Sequence, residues 1–134
     1  MIVAVCVDDR NGMLFHRRRQ SQDRALREDI LSRCSGPLHM DSYSAKLFAD
    51  HADRICVDEE FLSGAQAGEW CFVEDRPLTP WAEKIEKLVV YRWNRAYPAD
   101  VHLDLKLELF ALEDRQDFPG TSHDAITREI YHRV

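Results

Sequence analysis

The residue types able to do chemistry in this chain are its acids, arginines, histidines and cysteines, and their spacing decides how far each can go. Two acidic stretches, Asp58-Glu-Glu60 and Glu74-Asp75, each follow an apolar run that reads as a strand. Open α/β sheets bind ligands beyond such strand ends, and converging carboxylates there would suit a divalent cation held through oxygen ligands. The plainer reading is solvated loop charge. Arg17-Arg-Arg19, with Arg24 and Arg27 beyond, is the densest basic feature and has the charge to hold phosphate or RNA. Asp23, Glu28 and Asp29 neutralise part of it and no aromatics interleave, so a solvated loop and helix face is expected.

Histidines and cysteines narrow the choices further. His16, His39, His51, His102, His123 and His132 stand singly, in neither a His-x-His-x-Asp-His nor a His-Glu-x-x-His spacing, and His51-Ala-Asp53 is the nearest approach to a ligand pair. No metal site is expected. Cys6, Cys34, Cys56 and Cys71 make no Cys-x-x-Cys pair. Cys6, Cys56 and Cys71 sit in apolar runs and read as small buried hydrophobes, whereas Cys34, near a helix end, is the one placed for exposure. There is no Gly-x-Ser-x-Gly elbow, Walker loop or Gly-x-Gly-x-x-Gly.

These residues must be positioned by a single domain spanning 1–134, since 45% apolar and 31% charged residues fit an ordinary globular chain able to build a core without disulfides or metal. The net charge of −6 gives no long-range attraction to nucleic acid or anionic lipid. The apolar run Ile2–Val7 is too short to cross a bilayer, and Asp8 and Asp9 follow it where a signal peptide would be cleaved, so the expectation is a cytoplasmic protein.

Ile2–Val7 reads as a strand buried on both faces, ended by Asp9-Arg-Asn-Gly12. A helix from about Gln22 to Cys34 sets Ala25, Leu26, Ile30 and Leu31 on one face, and Ser35-Gly-Pro37 stops it. A strand at Leu38–Met40, a helix at Ser42–Ala49, a strand at Arg54–Val57, a loop holding Gly64 and Gly68 and a strand at Trp70–Val73 come next. Pro80–Lys87 reads as a helix and Leu88–Trp93 as a strand, with Trp70, Phe72, Tyr91 and Trp93 in the core and Trp81 either there or at a pocket mouth. The repeated β-α-β order predicts a mostly parallel sheet flanked by helices. Val101–Leu112 alternates like a strand with one wet face, Glu113–Gly120 reads as a polar loop, and Ile126–Val134 suits a returning antiparallel strand. A helix is the rival reading of that last segment, with Thr121 and Asp124 at its cap and Ile126 and Ile130 one turn apart.

In that order, Asp9-Arg-Asn-Gly-Met13 after the first strand resembles the opening of dihydrofolate reductase, with its turn into a mobile active-site loop. Pro37-Leu-His-Met-Asp-Ser-Tyr-Ser44 resembles the family's strand and Met-Gly-Arg-x-Thr turn, Lys87 to Leu103 its late strand and Gly-Asp-Thr-x-Phe-Pro segment, and Ser122-His to Arg133 its closing strand. The resemblance covers most of the chain and implies a three-layer α/β fold. It also implies where ligands would lie: Met13 and Asp23 on the pterin side, Asp41, Ser42, Glu74 and Asp75 on the nucleotide side.

The residues that carry the family's chemistry are mostly gone. His16 to Asp23 contains neither the Trp-x-Leu-Pro segment nor a clear match for the carboxylate of the first helix, for which Asp23 is the one candidate; its simpler reading is a charge favoured by the helix dipole. Glu74-Asp75-Arg76 replaces the Gly-Gly that lets backbone approach the pyridine nucleotide, and Asp41 and Ser42 replace a Gly and an Arg. Asp100-Val101 keeps an Asp and loses a Thr, and the chain is shorter where the family holds the adenosine end. No cofactor, NADPH included, is therefore expected. The leading expectation is a non-catalytic binding or assembly domain with an unidentified small molecule or protein partner. A diverged NAD(P)H-dependent reductase with Asp23 as proton donor and a homodimeric interaction module are the alternatives.

Overall fold

The computed structural model describes residues 1–134. Strand β1 (Ile2–Val7) lies at the heart of a seven-stranded sheet, between β6 (Trp70–Phe72) and β7 (Lys87–Arg92), both parallel to it. β4 (Leu38–Met40) pairs parallel with β6 and with β5 (Ile55–Val57), which closes that edge. Beyond β7 run β10 (Ile126–Arg133) and β9 (Phe110–Phe118), each antiparallel to its inner neighbour, so β10 alone runs against the rest. A small antiparallel sheet of β2 (Gly12–Phe15), β3 (Arg18–Arg19) and β8 (Val101–His102) stands beside it.

The two-residue period of β1 divides the interior in two. Val3, Val5 and Val7 point into one core with Phe61, Leu78, Ile85 and Phe110, and Ala4 points into the other with Leu26, Phe48, Phe72 and Tyr91. Helix α1 (Arg24–Arg33) covers the second core with Leu26, Ile30 and Leu31. It is pinned there by Asp29, which accepts from the Tyr91 hydroxyl of β7 at 2.6 Å and from Arg128 of β10 at 2.8 Å. Burial, followed by the Asp29 charge, pushes the Tyr91 hydroxyl far above its ordinary value, so it stays a donor.

Several local readings are corrected. Glu113–Gly120 is not a loop: β9 runs through it, because Glu113 meets Lys87 and His132, and Thr127 donates to Asp117 at 2.6 Å, which gives the charged side chains partners on an edge strand that tolerates them. Val101–Leu112 leaves the sheet after His102, as Asp104 turns inward to accept from the Leu78 and Thr79 amides and Leu107–Leu109 coils into a 3-10 turn. That capping also makes Thr79–Lys84 a short 3-10 helix rather than an α-helix to Lys87. The helix at Ser42–Ala49 is one α turn, α2 (Ser42–Ala45), continued as 3-10 from Lys46 to Arg54 across kinks at Phe48 and His51. Ile126–Arg133 is the returning antiparallel strand expected over its helical alternative, and α3 (Phe61–Gly64) fills part of the expected loop. Two cysteines trade places: Cys34 is buried, its thiol pushed up to about 11 by burial, and Cys56 on edge strand β5 is exposed. No helix is long and apolar enough to cross a membrane.

The turn after β1 forms as the Asp-Arg-Asn-Gly run predicts, with Asn11 left-handed at φ 62° and Asp8 accepting from the Arg10, Gly12 and Tyr97 amides. Gly12 is required by crowding, since a Cβ there would sit 2.5 Å from Ala99 Cβ and 2.9 Å from Asp8 Oδ1. Gly12→Ala is expected to lower stability by about 1–3 kcal/mol in urea melts; an unchanged midpoint would show the approach to be looser than described.

Candidate functional site

The carboxyl ends of β1, β4 and β6 bring Asp8, Asp41 and Glu74 to one rim of the sheet, the position where open α/β sheets take ligands. Here the chain fills that rim with its own cations. Arg19, carried by β3 of the small sheet, donates from Nε and Nη2 to the two oxygens of Glu74 at 2.8 and 2.9 Å. Ser44 donates to the same carboxylate at 2.8 Å, and the guanidinium lies 4.6 Å from the centroid of the Tyr43 ring. Glu74 is buried, which leaves its charge almost wholly dependent on these partners. Beside it, Arg76 pairs with Asp41 and Asp75, donates to the Glu59 carbonyl and lies over the Phe61 ring.

Six residues were assigned to ligand in the sequence reading, and the structure distributes them unevenly. Asp41 is buried and caps α2 through the Ser44 amide, while the exposed Ser42 side chain has no partner and only its amide is held, by Glu59. Asp75 is half-buried in its pair with Arg76. Met13, Asp23 and Glu74 line one small cavity with Leu26, Phe72 and Trp93. Its volume is about 20 Å³, room for roughly one water, while more open clefts of about 460 and 470 Å³ lie beside it, one lined by Arg19, Gln20 and Tyr97 and the other by Tyr43, Asp75 and Asp100. No group of three or more His, Cys, Asp or Glu side chains is placed to hold a metal ion. Arg17 and Arg18 are exposed as expected; Arg19, Ser44 and Arg76 were missed as site residues, because the buried carboxylates they hold, Glu74 and Asp41, lie 30 to 55 residues away and no local pattern marks them.

The carboxylates of Asp41, Glu74 and Asp75 crowd this rim, and the two arginines nearest them are already paired with them.

Asp23 has a different environment. It is the N-cap of α1, accepting at Oδ1 from the Ala25 amide at 2.9 Å and the Leu26 amide at 3.3 Å. The loop between β9 and β10 supplies the rest: the Thr121 amide at 3.0 Å, the Ser122 amide at 2.7 Å, the Ser122 hydroxyl at 3.0 Å and His123 Nδ1 at 3.2 Å. Burial works against ionisation, but the bonds from Thr121, Ser122 and His123 outweigh it and hold the carboxyl well below the usual carboxylate range. Gly120 allows the approach, for a Cβ there would lie 2.7 Å from Asp23 Oδ2. The arrangement binds a helix to a loop and favours the ionised carboxylate.

Comparison with known proteins yields a fold. No family model matches the chain, and no curated protein matches it by sequence. Among solved structures, a dihydrofolate reductase from Enterococcus faecalis, complexed with NADP(H) and RAB-propyl, superposes with a TM-score of 0.67 at 12% identity, over 99% of this chain and 96% of that one. The fold is therefore dihydrofolate reductase-like: a mostly parallel central sheet, one antiparallel C-terminal strand and flanking helices.

Two outcomes are expected from this geometry. Arg19→Met leaves Glu74 buried without its cation and should cost about 3 kcal/mol, and adding Glu74→Gln should restore part of that loss; additive losses in urea melts would refute the coupling. Asp23 holds off its proton to lower pH in the folded chain than in the unfolded one. Its contribution is therefore complete above the unfolded value near pH 4 and is lost as acid reaches the folded group. Asp23→Asn should be less stable by about 2–3 kcal/mol at pH 7 and should lose stability less steeply than wild type between about pH 5 and 2.

Proposed function

From a dihydrofolate reductase-like fold whose rim carboxylates are held by the chain's own arginines, we propose that this protein has lost hydride-transfer chemistry and serves as a non-catalytic binding or assembly domain. The observation that carries the reading is the buried Arg19–Glu74 pair, seated by Ser44 and Tyr43, above a cavity of about 20 Å³. A ligand that displaced Arg19 would strand a buried charge on Glu74. The diverged-reductase reading needs a carboxyl that carries a proton near neutral pH, and the donors around Asp23 favour the opposite state.

The assembly half of the proposal draws support from the outer edge of the sheet, where β9, nine residues long, leaves its outward-facing backbone groups unpaired beside exposed Leu109 and Leu112. A cytoplasmic setting accords with four free thiols. The partner is a small molecule or protein rather than nucleic acid, given the net charge of −6.

The test is the melting temperature with saturating NADPH, NADH or dihydrofolate. A ligand at a hundredfold excess over its Kd adds about 2.7 kcal/mol to the folded state, so binding would be plain. No shift is expected, and a clear shift with any of the three overturns the proposal. Sedimentation at high concentration tests the assembly half, which a strict monomer without a captured partner would remove.

A further inference from the structure

His123 is more than a donor to Asp23. Its ring is buried and stacked on Trp93 at 4.5 Å with an interplanar angle of 24°, so its orientation is held. Nδ1 faces Asp23 Oδ2 at 3.2 Å and the Ser122 oxygen at 3.0 Å. An ionised carboxylate only accepts, which places a hydrogen on Nδ1 and, in the neutral ring, leaves the lone pair on Nε2. Two hydroxyls face that lone pair, Ser21 at 3.2 Å and Tyr97 at 3.1 Å. Ser21, His123 and Asp23 thus stand in series as hydroxyl, imidazole and carboxylate, the order in which a serine is activated for attack.

Ser21 is half-buried and lines the 20 Å³ cavity. Arg27 lines the same cavity, and its guanidinium makes no hydrogen bond or ion pair within the chain. We propose that Ser21 is an activated nucleophile that accepts a compact acyl group from a small activated ester. Its Oγ attacks the carbonyl carbon while its proton passes to His123 Nε2, where the resulting imidazolium is stabilised by Asp23. The bond from carbonyl carbon to the leaving oxygen then breaks, and that oxygen takes the proton from Nε2. The products are acyl-Ser21 and an alcohol. Arg27 is the unpaired charge available to the developing oxyanion. The cavity beside Ser21 is narrow, which favours a compact acyl group, and the expected product is a one-for-one adduct rather than a turnover.

This inference goes beyond the proposed function and is independent of it: a melting shift with NADPH would overturn that reading and leave this one standing. The probe is p-nitrophenyl acetate on the folded full-length chain. Wild type is expected to release a burst of one nitrophenolate per chain and to carry one acetyl on the peptide containing Ser21. Ser21→Ala should abolish the burst, and His123→Gln should slow it about 100-fold or more. Acetyl confined to lysines, the amino terminus or exposed Cys56, or a burst that survives Ser21→Ala, overturns the proposal. If His123→Gln does not fold by circular dichroism, the comparison of wild type with Ser21→Ala still decides.

Discussion

The Asp23 carboxylate joins the start of the first helix to a loop about a hundred residues away, with six polar groups within 3.3 Å of its oxygens. A buried charge is tolerated only where donors replace its water, and here they come from both ends of the chain. The consequence is geometric. Once Asp23 is satisfied, α1 is held at the sheet rim, His123 is held against Trp93, and Gly120 is the only residue type that lets the two segments approach.

The same accounting governs the neighbouring rim. Glu74 follows a strand buried on both faces and so cannot reach bulk water; its stability rests on Arg19, which arrives from a separate small sheet. Arg76 does the equivalent for Asp41. A pair of this kind adds little net stability when complete, yet removing one member is costly, which makes the filled state of the crevice self-maintaining. A fold shared with a reductase does not by itself imply a reductase's site, since function resides in the side chains at the strand ends. What the crevice retains is a serine, an imidazole and a carboxylate in series.

The two sheet edges differ in the same physical terms. β5 is three residues long and follows directly on a 3-10 helix, whereas β9 is nine residues long and carries charges that find partners on β7 and β10. Those side-chain pairs let a strongly polar segment remain in a ladder, and they leave its outer backbone free.

By itself the sequence determined the elements whose signal is local: the β-branched run of β1, the amphipathic spacing of α1, the Asn-Gly turn, and a parallel β-α-β order that fits the observed sheet. It also identified Asp23 as a helix-start charge, because capping depends on neighbours in the chain. Whatever depended on distant partners was decided only by tertiary structure. Glu113–Phe118 became strand because β7 and β10 accept its charges, and Leu103 to Leu109 left the sheet because Asp104 found the amides of Leu78 and Thr79. Arg19 reads as solvated beside Arg17 and Arg18, since nothing within a turn of it reveals that Glu74, 55 residues on, needs a cation. His123 looked like one scattered histidine among six for the same reason: its partners Ser21, Asp23, Trp93 and Tyr97 meet only when the sheet is assembled.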